Sequence, residues 1–257
     1  MSFRQFLDNG EIALEMDIDQ GARIASLEYH GMECVVPFRG QTLTWGWYSM
    51  APWAGRINNG LLSDSAGKSH QLPTNLAPPH AIHGFTLTSA WEEIGDGRFV
   101  IEFPDPFRGA RMEQRIELLD NALCWSLEYE SGNCELPFWL GLHPWFPREL
   151  ARGGSVEIDF HPGKMFERDG DQIPTGKLIT PTPGPWDDAF SEVRGVPTVY
   201  WEDALQIQIE CDAPYWVVYD QDPEGVCVEP QTAPPDAANL GITGDSYLEA
   251  LFIFEEI

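Results

Sequence analysis

Glu229 ends the apolar run Val226-Cys227-Val228 and is followed at once by Pro230-Gln231-Thr232-Ala233-Pro234-Pro235. Proline locks φ and offers no N–H to a sheet, so these prolines are expected to turn the chain out of a strand where the acid is presented. His143 stands in a similar place, after Leu140-Gly141-Leu142 and before Pro144, which biases its predecessor toward extended backbone. A carboxylate with an ordinary pKa of about 4.3 and an imidazole of about 6.5 suit withdrawal of a proton from one oxygen and delivery to another, with no cofactor. The competing structural readings are a plain strand-end carboxylate and a histidine packed among Leu142, Trp145 and Phe146. Two more imidazoles come from His80-Ala81-Ile82-His83-Gly84. Added to His143 and Glu229, they would make the three-histidine, one-carboxylate donor set of a metal enzyme. No H-E-x-x-H or H-x-H accompanies them, and Pro78-Pro79 and Gly84 point to a loop rather than a helix face, so the cofactor-free, metal-free reading is preferred. Arg56, in the turn Gly55-Arg56-Ile57-Asn58-Asn59-Gly60, is either a fixed multi-donor cation for hydroxyls or a structural partner for one of the many acids.

The elements that must position these residues read as strands. Ile12, Leu14, Met16 and Ile18 alternate with Ala13, Glu15 and Asp17, the period of a half-buried strand. The clearest hairpin sets Met112, Gln114, Ile116 and Leu118 against Leu123, Trp125, Leu127 and Tyr129 across Asp120-Asn121, with Gln114 the one polar intruder. Further alternating runs cover 99–103, 156–160, 205–211, 216–219 and 248–254. Twenty-one prolines and 24 glycines leave no apolar helical stripe longer than two turns, so the expected class is all-β, an antiparallel β-sandwich. Residues 163–197 alternate poorly and read as an internal loop carrying the cluster Trp186-Asp187-Asp188-Ala189-Phe190 rather than as a linker. Residues 1–257 are therefore expected to form a single domain, a length one sandwich core can support.

Forty-one acids against 15 bases give a net charge of −26, which opposes approach to polyanions and excludes nucleic acid and anionic membrane as natural partners. The same field is expected to favour protonated histidine slightly. Five cysteines, Cys34, Cys124, Cys134, Cys211 and Cys227, show no C-x-x-C spacing, so neither a disulfide framework nor a thiolate zinc site is signalled. With no signal-like start and no run of about 18 apolar residues, the expectation is a soluble, cytoplasmic protein, its oligomeric state left open. Ten tryptophans can fill a core and still line a cleft with rings that pack on sugar C–H faces.

Taken in order, Gly55-Arg56-Ile57, His80-Ala81-Ile82-His83-Gly84-Phe85, Leu142-His143-Pro144-Trp145-Phe146, Asp187-Asp188-Ala189-Phe190 and Glu229-Pro230-Gln231-Thr232 with Asn239 resemble the aldose 1-epimerase (galactose mutarotase) family. The opening Gly21-Ala22-Arg23-Ile24-Ala25-Ser26-Leu27 is similar to its first hairpin, so the likeness spans nearly the whole chain. The resemblance implies a large β-sandwich of the galactose mutarotase type, with a small-molecule sugar bound in an open cleft on one sheet. It implies Glu229 as general base and His143 as general acid, with His83 near the ring oxygen, Arg56 on hydroxyls, and Asp187, in preference to Asp188, anchoring the secondary hydroxyls. The chain is shorter than typical galactose mutarotases and closer to the compact members, some of which act on hexose 6-phosphates. Arg39, Arg108 and Arg111 are the candidates for holding a phosphate, although the acidic field favours a neutral aldose. A sugar-binding module without turnover is the remaining alternative, since a fold does not by itself grant activity.

Overall fold

A computed structural model describes residues 4–95 and 97–257. The period-two runs become strands wherever one face can be buried. The hairpin Arg111–Leu119 and Ala122–Glu130 closes through the two-residue turn Asp120-Asn121, with Leu118 opposite Leu123 and Ile116 opposite Trp125. Gln114 keeps its inward position because its Nε2 donates to the Ala22 carbonyl at 2.7 Å, which satisfies the donor side of its amide in a dry place. Among the described residues there is no α-helix, only three short 3-10 turns, and no helix is long and apolar enough to cross a membrane.

Two large antiparallel sheets carry the fold. The first, of 11 strands, runs in the order Arg4–Asp8, Ile12–Asp17, Arg23–Tyr29, Trp47–Met50, Gly141–Pro147, Gly225–Gln231, Tyr215–Tyr219, Asp187–Ser191, Lys164–Arg168 and Pro174–Ile179, with Met32–Glu33 beside Arg23–Tyr29. The second, of eight strands, runs Glu92–Gly95, Arg98–Glu102, Arg111–Leu119, Ala122–Glu130, Tyr247–Glu256, Leu205–Glu210, Arg194–Trp201 and Val156–His161. They pack face to face as a β-sandwich, and one hydrophobic cluster runs through both. Trp47 from the first sheet meets Phe252 from the second at 4.8 Å between ring centroids, and Phe252 in turn meets Trp125. The five cysteines are free thiols.

Two expectations are corrected. Residues 163–197 are not an irregular loop: they supply Lys164–Arg168, Pro174–Ile179 and Asp187–Ser191 at one end of the first sheet and the start of Arg194–Trp201 in the second. Their alternation was hidden because these strands are short, one pairing slips between Phe166 and Arg168, and polar residues occupy inward positions facing a cleft. The second correction concerns the prolines. The strands run straight through Pro144 and Pro230, which pair laterally with Trp47 and Trp216, and the chain leaves the sheet only after Gln231.

Candidate active site

The strands Gly141–Pro147 and Gly225–Gln231 are neighbours in the middle of the first sheet. Their register is fixed at one end by Gly141 opposite Gln231 and at the other by Trp145 opposite Cys227, with no bridge recorded between. Just beyond Gly141, Thr232 N–H donates to the Leu140 carbonyl and Leu140 N–H to Thr232 Oγ1, both at 2.9 Å. Pro144 and Pro230 both lie within the unbridged stretch and supply no N–H to the ladder. Held in that register, His143 stands opposite Glu229, and its Nε2 lies 3.2 Å from Glu229 Oε1. The prolines thus mark the site, by opening the ladder around the pair rather than by ending the strands.

His143 is clamped by rings. Tyr48 stacks on it at 4.5 Å and 27°, and Trp145, two residues along its own strand, lies near-parallel at 5.6 Å. The second carboxylate oxygen of Glu229 accepts from Gln231 Nε2 at 3.1 Å. Glu229 is 2% exposed and His143 5%, yet both line an open cleft with about 180 Å³ of space, on the scale of a single small ligand.

Burial dominates the protonation of the pair. It pushes the Glu229 carboxyl well above the usual carboxylate range, and the nearby Asp187 charge adds to this, while Gln231 and Arg56 oppose it. It pushes His143 down to about 3, with the buried Arg23 charge as the second cause. The expectation of an imidazolium favoured by the protein's negative field is therefore corrected at His143, although the pKa of exposed His30, beside Glu11 and Glu256, is raised as expected. Both shifts within the pair favour the uncharged forms, a protonated Glu229 carboxyl and a neutral His143 imidazole, because neither charge is well solvated there.

His83 faces the pair edge-on, its ring 5.0 Å from that of His143. Its backbone is left-handed, with φ of 56°, and Gly55 N–H donates to its Nδ1 at 3.2 Å, which leaves Nε2–H as the donor available to a ligand. Burial, His143 and Arg56 hold its pKa well below 6.5. Gly84 is required next, since φ is 71° and a Cβ there would sit 1.9 Å from the Ala51 carbonyl oxygen. Gly55 packs against Pro235, and Asp236 clamps the same loop: its N–H donates to the Arg56 carbonyl at 2.8 Å and its Oδ1 accepts from Asn58 N–H at 3.0 Å. Asn239 serves this lock, donating to Asp236 Oδ1 at 2.7 Å.

Arg56 and Asp187 meet across the far side of the cleft at 3.5 Å. Arg168, not foreseen as a site residue, approaches the same Asp187 oxygen at 3.4 Å and pairs with Asp188 at 2.7 Å. Both aspartates line the cleft, and Asp187 is the more open, its side chain 21% exposed against 8%. Gln172 and Tyr219 also line it. Arg168 and Gln172 escaped notice inside the segment read as a loop, and Tyr219 inside an apolar run. His80 is absent from the cleft lining, and its Nδ1 accepts from Asn59 N–H at 3.1 Å, so the donor set of three histidines and Glu229 is not assembled. Arg39, Arg108 and Arg111 are ion-paired with Asp222 and Glu224, with Asp105, and with Glu130, all outside the cleft.

Comparison with known proteins identifies the family and the fold. Residues 7–194 match the family model described as aldose 1-epimerase. The uncharacterised protein YihR of Escherichia coli K12 is 25% identical over 255 residues, covering 86% of this chain and 82% of its own. Among solved structures, a provisionally assigned aldose 1-epimerase of Escherichia coli K12 superposes with a TM-score of 0.85 at 19% identity over 100% of both chains. The GalM/aldose epimerase homologue from Caenorhabditis elegans gives 0.80 at 16% identity, again over 100% of both. A galactose mutarotase-like protein from Clostridium acetobutylicum gives 0.78 at 16% identity, over 100% of this chain and 99% of its own. At these identities the structural likenesses establish the fold.

Proposed function

The chain belongs to the aldose 1-epimerase family, and from that premise we propose that it interconverts the α and β anomers of a neutral hexose by acid–base ring opening and reclosure, without cofactor. The observation that carries the proposal is the 3.2 Å contact between His143 Nε2 and Glu229 Oε1 at the floor of an open cleft. Ring opening removes a proton from the anomeric hydroxyl and adds one to the ring oxygen, so it needs one acid and one base and no net proton. A pair sharing a single proton is that combination. As the sugar enters, its anomeric hydroxyl presents its hydrogen to Glu229, and the proton of the pair passes to His143, which delivers it to the ring oxygen. The C1–O5 bond breaks and an aldehyde forms. Rotation about C1–C2 exposes the other carbonyl face, and the two residues exchange roles on closure. His83 donates through Nε2–H near the ring oxygen, and Arg56 and Asp187 hold the secondary hydroxyls.

A neutral sugar is favoured over a hexose 6-phosphate by charge balance. The two cleft arginines, Arg56 and Arg168, already face Asp187 and Asp188. The three arginines suggested for phosphate are paired elsewhere. In the test, freshly dissolved α-anomers of neutral and 6-phosphorylated hexoses are followed by NMR with and without protein. Faster equilibration of a neutral hexose is expected, lost in Glu229→Gln and in His143→Asn with the fold retained. No acceleration across the panel would overturn the activity. Acceleration confined to phosphosugars would overturn the substrate class.

A further inference from the structure

Arg23 is wholly buried, an expensive place for a cation, and the proposed reaction gives it no direct task. Its burial brings its pKa down to about 10, with Asp17 near enough to favour the charge. Four of its donors reach backbone carbonyls from three separate segments: Nε to Gln20 at 2.9 Å, Nη1 to Thr42 at 3.1 Å and Trp45 at 2.8 Å, and Nη2 to Leu87 at 2.8 Å. The guanidinium lies over the Trp45 ring at 4.3 Å and over the Tyr48 ring at 4.9 Å. Gly46, with φ of 70°, is pressed against the same side chain, since a Cβ there would meet Arg23 Cδ at 2.9 Å.

The far side of this cage is the cleft. Tyr48 stacks on His143, and its hydroxyl donates to the Leu43 carbonyl at 2.9 Å. Trp145 Nε1–H donates to that same carbonyl at 2.8 Å, and Leu43 and Thr44 form cleft wall. The loop that Arg23 ties through Thr42 and Trp45 therefore fixes both rings that clamp the imidazole. Resting on the acid–base reading above, we propose that Arg23 is a positioning residue for His143: acting through Tyr48 and the 42–45 loop, it sets the plane in which the imidazole meets the sugar. Its charge has a second effect, opposing a further positive charge on His143. The other titratable or charged groups around that imidazole are Glu229 and Cys227 from the neighbouring strand, Tyr48 from the other side, and His83 edge-on.

Three variants separate orientation, charge and scaffold. Arg23→Lys keeps a cation but loses the planar fork, Arg23→Met loses both, and Tyr48→Leu removes the relaying ring while leaving Arg23 intact. For Arg23→Met and Tyr48→Leu, kcat is expected to fall about 10- to 100-fold with KM nearly unchanged, the mark of a displaced reacting group. In Arg23→Met the His143 titration, read by ring-nitrogen NMR, moves to higher pH, whereas in Arg23→Lys it stays near its wild-type position with kcat partly restored. The NMR titration needs no turnover, so it remains decisive if the anomer assay is silent. Should Arg23→Met not fold, Arg23→Lys and Tyr48→Leu still test orientation, because each is expected to lower kcat with KM nearly unchanged. Full turnover in Tyr48→Leu, or losses in every folded variant that track the folded fraction with the His143 titration unmoved, would reduce Arg23 to a scaffold residue and overturn the proposal.

Discussion

At the scale of single residues, burial makes the proposed acid–base pair a liability for stability, and its sign depends on pH. Glu229 has a folded pKa raised above its unfolded 4.5. Below that pH both states hold the proton and burial costs nothing; as pH rises, the unfolded state alone ionises and the fold loses stability until the raised pKa is passed. Glu229→Gln is therefore expected to melt higher than wild type at pH 8, by about 2–4 °C for each 1 kcal/mol relieved, with the gain vanishing below about pH 4.5. The same variant should lose activity about 10²–10⁴-fold, so calorimetry and the anomer assay would move in opposite directions. A Tm difference independent of pH would show that Glu229 does not keep its proton in the fold. His143 has the opposite sense: its folded pKa of about 3 against 6.5 means stability is lost as pH falls from 6.5 toward 3. The productive one-proton state should persist through pH 5, so kcat/KM is expected to hold there and to fall only on the alkaline side, as Glu229 ionises. A loss of activity on the acid side near pH 6.5, where a free imidazole takes up its proton, would contradict this.

At the scale of elements, the site rests on three local devices. The unbridged stretch around Pro144 and Pro230 opens the ladder, the His83-Gly84 turn aims an imidazole, and the Asp236 lock pins the Arg56 loop. Gly84→Ala must strain the turn, because its φ is 71° and Ala51 leaves no room. A destabilisation of about 1–3 kcal/mol is expected from the left-handed backbone alone, seen as a lower urea midpoint, together with a raised KM as His83 shifts. Asp236→Ala should leave kcat close to wild type while raising KM severalfold, since it frees the loop bearing Arg56 without touching the pair. An unchanged KM in Asp236→Ala would show that the loop holds Arg56 without the lock. His80 was legible in the sequence as a candidate and proves to brace this region through the Asn59 amide, while His83 of the same island lines the cleft. Periodicity alone does not distinguish a histidine that faces a ligand from one that satisfies a backbone donor.

At the scale of the whole molecule, a charge of −26 is concentrated on a compact β-sandwich, so self-repulsion acts against the folded state. Raising salt from about 10 mM to 0.5 M shortens the Debye length from roughly 30 Å to under 8 Å and should raise Tm by a few degrees. Binding of a neutral hexose should be indifferent to that change. An affinity that changes steeply with salt would instead mean that the ligand carries a charge.

The sequence by itself determined the all-β class, most strand positions, and the residues fit for acid–base chemistry, because alternation, turn residues and side-chain pKa values are local properties. It misread the strands between 163 and 197, where inward positions face a polar cleft rather than the core, and so missed Arg168 and Gln172. Only the tertiary structure decided that Glu229 and His143 lie opposite one another on adjoining strands, since strand register depends on the pairing of segments remote in sequence. It also set the direction in which each of their pKa values moves. Desolvation by packed neighbours, and a buried Arg23 more than a hundred residues away in sequence, outweigh the surface field that composition alone could foresee.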